Sequence, residues 1–166
     1  DEQIAKASVA SIKQPTAQDV PNSISKLATA TAGGKSQGGE AAQDLAQMLR
    51  DQGWFSHGLG GEHESLPGHG NYRLTKLLAG TAMVGDSEQY ASAMALMARE
   101  LGLPSRVVMG FLPKNQDGDI DDSRTQKHAD GTVIDFTGND VTAWVEIHLA
   151  HYGWVPFYPT PKETKI

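Results

Sequence analysis

The sequence predicts an α+β fold in which helices come first and antiparallel strands follow. Two segments, residues 40–52 and 87–101, carry apolar side chains at helical spacing. Four short apolar segments come later, with turn residues between them: residues 106–112, 132–136, 141–149 and 153–157. Because the helices precede the strands instead of alternating with them, we predict helices packed on an antiparallel sheet of about four strands.

Composition narrows the class of protein. The chain has 166 residues, of which 39% are hydrophobic and 20% charged, as expected for one globular domain with a real core. Its net charge of −6, without any Lys/Arg cluster, argues against a nucleic-acid or anionic-membrane partner. The absence of cysteine excludes disulfides, thiolate metal ligands and a thiol nucleophile. No apolar run approaches the ~18 residues that a membrane-spanning helix needs.

We divide the chain into three parts. Residues 1–21 have weak periodicity and contain Pro15 and Pro21, so we expect an N-terminal arm or an extra helix. Residues 22–161 form the predicted domain. Residues 162–166 are interpreted as a tail that leads to a missing segment, because the chain starts at Asp1 without Met and stops just after a strand pattern.

The helices are predicted from their start and stop signals. Residues 24–31 follow Asn22-Ser23, which can cap a helix, and precede two glycines that can end it. Residues 40–52 end at a glycine in the same way. Residues 56–70 are rich in Gly and His and are predicted to be a loop, and residues 73–79 a short helix.

The clearest helix spans residues 87–101. Tyr90, Met94, Met97 and Leu101 form one apolar stripe on it, and small alanines beside the stripe permit close packing. A glycine and a proline follow and prevent extension. The segment 113–131, between the first two predicted strands, is expected to be a long, polar, acidic loop.

The start of this helix suggests chemistry. A nucleophile at position 87 would lie near the positive end of the helix macrodipole, beside free backbone N–H groups that can stabilise an oxyanion. A base on a neighbouring strand, oriented by a third group, would complete such a site. Strand 141–149, packed against this helix, is where that base is expected.

Two motifs resemble the bacterial transglutaminase-like superfamily, which has a papain-like fold. The first is GDSEQYASAM at residues 85–94, followed by GLPSRVVMG at 102–110. The second is AWVE at 143–146, followed by GWVPFYPTP at 153–161. The similarity covers roughly residues 40–161. By this resemblance the family's catalytic Cys falls on Ser87, its His on Thr142 and its Asp on Tyr158.

All three catalytic positions therefore depart from the family pattern. A serine hydroxyl is hardly ionised near neutral pH and needs a base within hydrogen-bond reach. Threonine is no useful base, and Tyr158 cannot replace a carboxylate that orients an imidazole. We interpret the chain as a non-catalytic domain that serves as a binding or structural module. The predicted site thus has no catalytic residue, and Ser87, Thr142 and Tyr158 are vestigial positions.

The resemblance also suggests a biological setting. Bacterial members often carry membrane helices around this domain, so we expect a domain of a larger, membrane-associated protein, on the extracytoplasmic face. Membrane association would then depend on segments outside this chain. A protein or peptide partner is expected, and no nucleic acid and no cofactor.

A hydrolase or acyl-transferase with a rebuilt site around Ser87 is the first alternative. His128 in the acidic loop or Asp140 before strand 141–149 would then supply the missing group. Asp140, Glu88 and Trp144 are our candidates to line the cleft between this strand and the helix. For Asp140 a turn residue at the start of a strand is the favoured interpretation.

A metal-binding module is the second alternative. His57, His63 and His69 recur at intervals of six in a loop that also holds two glutamates. Since this spacing matches no helical i,i+4 pair and no tight zinc loop, scattered loop histidines are favoured. The alternating aspartates at 117, 119 and 121 lack the Gly and Glu that a calcium loop requires. We predict no bound metal.

Overall fold

The computed structural model describes residues 2–114 and 120–162, so most of the predicted tail lies outside the described residues. The helices in these ranges are α1 (Glu2–Ala5), α2 (Asn22–Ala32), α3 (Gly38–Gln52), α4 (Asn71–Ala79) and α5 (Ser87–Glu100). Each of the four predicted helices is present, and all begin at or before the predicted start. Nowhere in the described ranges is a helix both long and apolar enough to cross a membrane.

The strands within residues 2–114 and 120–162 form three separate sheets. In chain order they are β1 (Gly53–Phe55), β2 (Met83–Gly85), β3 (Ser105–Phe111), β4 (Thr125–His128), β5 (Gly131–Ile134), β6 (Val141–Leu149) and β7 (Gly153–Phe157). The main sheet is antiparallel with the order β3-β6-β7, so β6 is its central strand. β1 pairs with β2 in parallel, and β4 with β5 as an antiparallel hairpin.

The α+β class is confirmed, but one strand lies outside the expected sheet. The segment predicted as strand 132–136 forms β5, which pairs with β4 and not with the main sheet. Its four residues are all exposed, which suits a two-stranded hairpin rather than a strand in a core. The main sheet therefore has three strands, and β4 lies within the segment predicted to be a loop. β1 and β2 were missed because three residues are too few to show a strand period.

Helix α5 lies at the centre of the core. Tyr90, Met94 and Met97, three members of the predicted stripe, are fully buried. They pack with α2 and α3 on one side and with β6 on the other, where Val145 and Ile147 are also fully buried. This packing fixes the amino end of α5 against the start of β6, and that junction positions the candidate site.

The N-terminal arm crosses the end of the main sheet opposite this junction. Val9 forms an isolated antiparallel bridge with Leu149 in the last part of β6. Farther along, the Gln14 amide donates to the carbonyl of Ser105 and accepts from its N–H, at 3.1 and 2.8 Å. The arm thus adds a backbone bridge at the end of β6 and side-chain hydrogen bonds at the beginning of β3.

Candidate functional site

A capping box fixes the amino end of α5. The carboxylate of Asp86, the N-cap residue, accepts from the N–H of Glu88 at 2.9 Å, and the Gln89 side chain accepts from the N–H of Asp86 at 2.9 Å. Two backbone donors that the helix cannot satisfy are thereby paired. The box holds Ser87 in the first turn, where the sequence predicts it.

The Ser87 hydroxyl joins the helix to the sheet. The backbone N–H of Ala143 in β6 donates to Ser87 Oγ at 3.2 Å. Ala143 lies outside the β6–β7 ladder, which begins at the pair Val145 and Phe157. The hydroxyl therefore satisfies a backbone donor at the start of the central strand. This contact places Ser87 beside Ala143, the residue that follows position 142.

Thr142 and Tyr158, the other two vestigial positions, line one cavity of about 390 Å³, together with Ala143. We call this cavity the α5 cleft. The rest of its lining is Phe55, Leu112, Ile120, Pro161 and Thr160, with the cationic residues Arg50, Lys114 and Lys162. Ser87 is not part of this described lining and meets it only through the hydrogen bond between its Oγ and the N–H of Ala143.

None of the three positions offers a base. Thr142 is buried and carries only a hydroxyl. Tyr158 is partly exposed, and its pKa is raised by burial and by the charge of Glu146, so the phenol stays protonated at neutral pH. Its ring packs against Trp144 with 6.3 Å between ring centroids. These groups therefore cannot take a proton from Ser87.

Asp140 forms a structural ion pair in the turn before β6. Its carboxylate accepts two bonds from Arg124, at 2.8 and 2.7 Å, and one from the N–H of Thr137 at 2.6 Å. The hydrogen bond from Arg124, and after it the one from Thr137, hold the pKa of Asp140 below its ordinary value. This is the turn role that the sequence favours. Asp140 is absent from the described lining of the α5 cleft, so we do not retain it as a cleft residue.

Glu88 and Trp144, the other proposed lining residues, also have different roles. Glu88 binds the loop before α4: its carboxylate lies 2.7 Å from His69 Nδ1 and accepts from the N–H of Gly68 at 3.3 Å. Trp144 lies over Gly110, where an added Cβ would approach its ring to 2.8 Å. Among the described residues neither side chain lines the α5 cleft. Trp144 instead supports the Tyr158 ring from outside the cavity.

The three loop histidines have three different partners. His57 Nδ1 lies 3.4 Å from Asp86, His69 contacts Glu88, and the His63 ring packs edge-on against Trp54 at 5.5 Å. They do not converge on one point. In the two described stretches of chain, no group of three or more His, Cys, Asp or Glu side chains could hold a metal ion. Asp117 and Asp119 lie outside the described residues.

His128 lies on the exposed strand β4, and the partner of Ser87 Oγ is the Ala143 N–H, not a histidine. His57 and His69 flank Ser87 through the carboxylates at positions 86 and 88, which the sequence did not predict. Acidic residues on both sides of position 87 were the available signal. Arg50 was not predicted either, since a basic residue in the last turn of a helix is an ordinary feature.

Comparison with known sequences identifies the class. The sequence model of the transglutaminase-like superfamily core matches residues 25–159, most of the chain. The chain therefore belongs to the transglutaminase-like superfamily. By the resemblance of its two motifs, Ser87, Thr142 and Tyr158 stand where other members have their catalytic groups.

Particular relatives agree with this assignment. The chain is 28% identical over 99 residues to "Uncharacterized protein YebA" of Bacillus subtilis (strain 168), covering 60% of this chain and 12% of that protein. Two crystal structures of the periplasmic domain of TgpA from Pseudomonas aeruginosa, one bound to ethylmercury, superpose with TM-scores of 0.61 at 21% identity. They cover 89% of this chain and 46% and 44% of those chains. The structural likeness shows a shared fold, and this chain spans less than half of each relative.

Proposed function

We propose that this domain is a non-catalytic transglutaminase-like module that binds a ligand in the α5 cleft. One observation carries the proposal: the Ser87 hydroxyl accepts the Ala143 N–H at 3.2 Å, and no basic side chain among the described residues forms a hydrogen bond with it. The cleft nevertheless remains open, with a volume of about 390 Å³. That volume lies within the range of about 300–1,000 Å³ found for small-molecule sites.

The physical chemistry supports loss of the family's reaction. Acyl transfer from a serine requires a general base that takes the hydroxyl proton and a group that orients that base. Thr142 and Tyr158 provide neither. Binding needs only shape and a few polar groups, and the α5 cleft has both.

We further propose that the domain belongs to a larger bacterial protein and works on the extracytoplasmic side of a membrane. Likeness to the periplasmic domain of TgpA supports this location. The chain covers 12% of YebA and 46% of the TgpA periplasmic domain, and this small share supports a domain within a larger protein. The net charge of −6 favours a protein, peptide or small-molecule partner over nucleic acid.

One observation favours a second candidate, a hydrolase or acyl-transferase with a rebuilt site. His57 lies 3.4 Å from Asp86, directly beside Ser87, so a serine, a histidine and a carboxylate are neighbours. The His57 ring nitrogen contacts the carboxylate and not the Ser87 hydroxyl, whose partner is Ala143. In this second candidate His57 would be the base, in place of the His128 or Asp140 suggested by the sequence.

Turnover of peptide and glutamine acyl donors separates the two candidates. If the domain is non-catalytic, we expect the wild type to turn over no more of these donors than Ser87→Ala or His57→Ala does. We also expect Ser87→Cys alone to stay inactive, because Thr142 still supplies no base. The triple variant Ser87→Cys, Thr142→His, Tyr158→Asp tests whether the scaffold still supports the family's chemistry. Turnover that Ser87→Ala abolishes would refute the non-catalytic proposal, and its loss in His57→Ala as well would identify His57 as the base of a rebuilt site.

Binding is tested separately, by NMR titration of the labelled domain with short peptides. Chemical-shift changes at Thr142, Tyr158 and Thr160 are expected. Thr160→Trp, which fills the α5 cleft, should remove them, and Ser36→Trp on an exposed turn should not. Peptide shifts that survive in Thr160→Trp would place binding elsewhere and contradict the proposal.

A further inference from the structure

The described lining of the α5 cleft contains the cation Arg50 and no Asp or Glu. Lys114 and Lys162 also line the cavity, but each has an interaction partner of its own, so Arg50 is the cation considered as an anchor. The whole chain, in contrast, has 20 acidic residues against 14 Lys and Arg, a net charge of −6. A cavity lined by one sign of charge attracts ligands of the other sign, because its low-dielectric walls focus the field.

Two hydrogen bonds hold the Arg50 guanidinium in place. It lies at the end of α3, and Nη1 donates to the Tyr158 carbonyl at 2.6 Å, while Nη2 donates to the Gln47 side-chain oxygen at 2.8 Å. Both acceptors are neutral. No carboxylate forms an ion pair with Arg50 within residues 2–114 and 120–162.

This environment leaves the Arg50 charge incompletely compensated. Burial lowers the pKa of Arg50, although the nearby Asp51 charge partly opposes that shift. Arg50 is half-buried, and a cation that has lost part of its hydration is stabilised by an anion with good hydrogen-bond geometry. A guanidinium has five N–H donors, and two bonds leave donors that can bind a carboxylate.

The remaining walls suit an apolar ligand body. Phe55, Leu112, Ile120 and Pro161 present carbon surface around the cavity, and the Thr142 and Thr160 hydroxyls add two polar points. A ligand with one carboxylate and a short hydrocarbon or aromatic part would match both the charge and the apolar surface.

We propose that the α5 cleft recognises a free carboxylate on a short apolar chain, with Arg50 as the anchor. The inference rests on the proposed binding function of the same cleft and adds the class of ligand. The carboxylate has two chemical sources, the C-terminus of a peptide and a small carboxylic acid, and the test distinguishes them.

Matched acid and amide probes provide the test. N-acetyl-Leu-Leu and its C-terminal amide represent the peptide source, and 4-phenylbutyrate and 4-phenylbutyramide the small acid. Dissociation constants are measured by NMR titration of the wild-type domain at low salt. We expect at least one acid to bind about tenfold more tightly than its amide, since a charge-assisted bond replaces a neutral one. The pair with that preference identifies the source.

Variants assign the preference to Arg50. Arg50→Met should reduce the acid-to-amide ratio to about one, and Arg50→Lys, which keeps the charge, should retain part of it. Lys76→Gln is the control, because it removes one positive charge, as Arg50→Met does. Lys76 contacts the Tyr72 ring outside the described cleft lining, so this variant should leave the acid-to-amide ratio unchanged. Circular dichroism checks the folding of Arg50→Met. If Arg50→Met is unfolded, the acid-to-amide ratios of the wild type and of Arg50→Lys decide whether Arg50 is the anchor.

Three results would overturn parts of this proposal in distinguishable ways. Equal affinity for acid and amide in both pairs, with shifts at cleft residues, would refute the carboxylate anchor but leave cleft binding intact. An acid preference unchanged in Arg50→Met and Arg50→Lys would refute Arg50 as the anchor. Failure of all four probes to shift any cleft residue would refute the ligand class, and binding by the longer peptides would then decide the proposed function.

Discussion

The α5–β6 scaffold and the α5 cleft beside it differ in the kind of side chains that they contain. On the scaffold, the capping box at Asp86 and Gln89 and the buried stripe from Tyr90 to Met97 make a continuous set of satisfied bonds and close contacts. The cleft is lined by Thr142 and Tyr158, whose side chains offer no base at neutral pH. The two regions share a boundary at the Ser87–Ala143 hydrogen bond.

The fold of such a domain and the reaction of its family depend on separate residues. The scaffold is specified by apolar burial and backbone hydrogen bonds, whose loss would unfold the domain. The reaction would require a base and an orienting carboxylate, whose loss leaves the packing intact. A cleft can therefore lose its chemistry and keep its shape, because shape comes from the scaffold.

Met94→Ala should cause the largest loss of stability, because Met94 is fully buried in the centre of the scaffold. Truncating such a side chain leaves a cavity and costs about 2–5 kcal/mol. Met109→Ala is the control: Met109 is 76% exposed, and we expect a change within about 0.5 kcal/mol. Urea denaturation measures both. Similar losses in the two variants would mean that α5 is not the centre of the core.

Tyr90→Phe should come next. The buried Tyr90 hydroxyl accepts from the N–H of Trp54 at 3.0 Å and lies 2.8 Å from the carbonyl of Met83, so it joins α5 to both strands of the parallel pair. Removing it leaves buried backbone groups unpaired, at about 1–3 kcal/mol. Tyr72→Phe, at an exposed site, should be nearly neutral. Equal unfolding midpoints for wild type and Tyr90→Phe would show that this junction does not stabilise the scaffold.

Ser87→Ala tests the boundary between the two regions. It removes one neutral, partly buried hydrogen bond to Ala143, so we expect a loss of about 0.5–1.5 kcal/mol. For a domain of this size that corresponds to a fall of about 1–6 °C in Tm. Ser36→Ala is the exposed control. A higher Tm in Ser87→Ala would indicate that the hydroxyl is maintained at a cost to stability, as in a working active site.

The last prediction is confined to acid pH. Because Asp140 has a folded-state pKa below its unfolded value, its contribution to stability is full above about pH 5. That contribution falls as the pH drops below the ordinary aspartate pKa of about 3.9 towards the folded value. Asp140→Asn should therefore be less stable than wild type at pH 6, and the gap should narrow at pH 3. Thermal unfolding at the two pH values measures it, and a constant gap would contradict the ion-pair role.

Much of the scaffold was predictable from local signals. Asp86 and Gln89 stand at capping-box spacing, and Tyr90, Met94 and Met97 at helical spacing, so the residue pattern alone places α5. The strand at 131–134 could be recognised by its residues, but not assigned to its sheet. The pairing of a strand depends on which segment of the chain lies beside it in the folded structure. The partner strand β4 could not be predicted, because its segment is polar and its side chains do not alternate between apolar and polar.

The sequence alone determined the superfamily, the α+β class and the side chains at the three motif positions, because these depend on residue identity and spacing along the chain. Tertiary structure decided what those side chains contact. It placed Ser87 against Ala143, committed Asp140 to Arg124, and brought Arg50 from α3 to the same cavity as Tyr158 after β7. Such contacts join residues far apart in sequence, and only the packing of helices on the sheet fixes their distances.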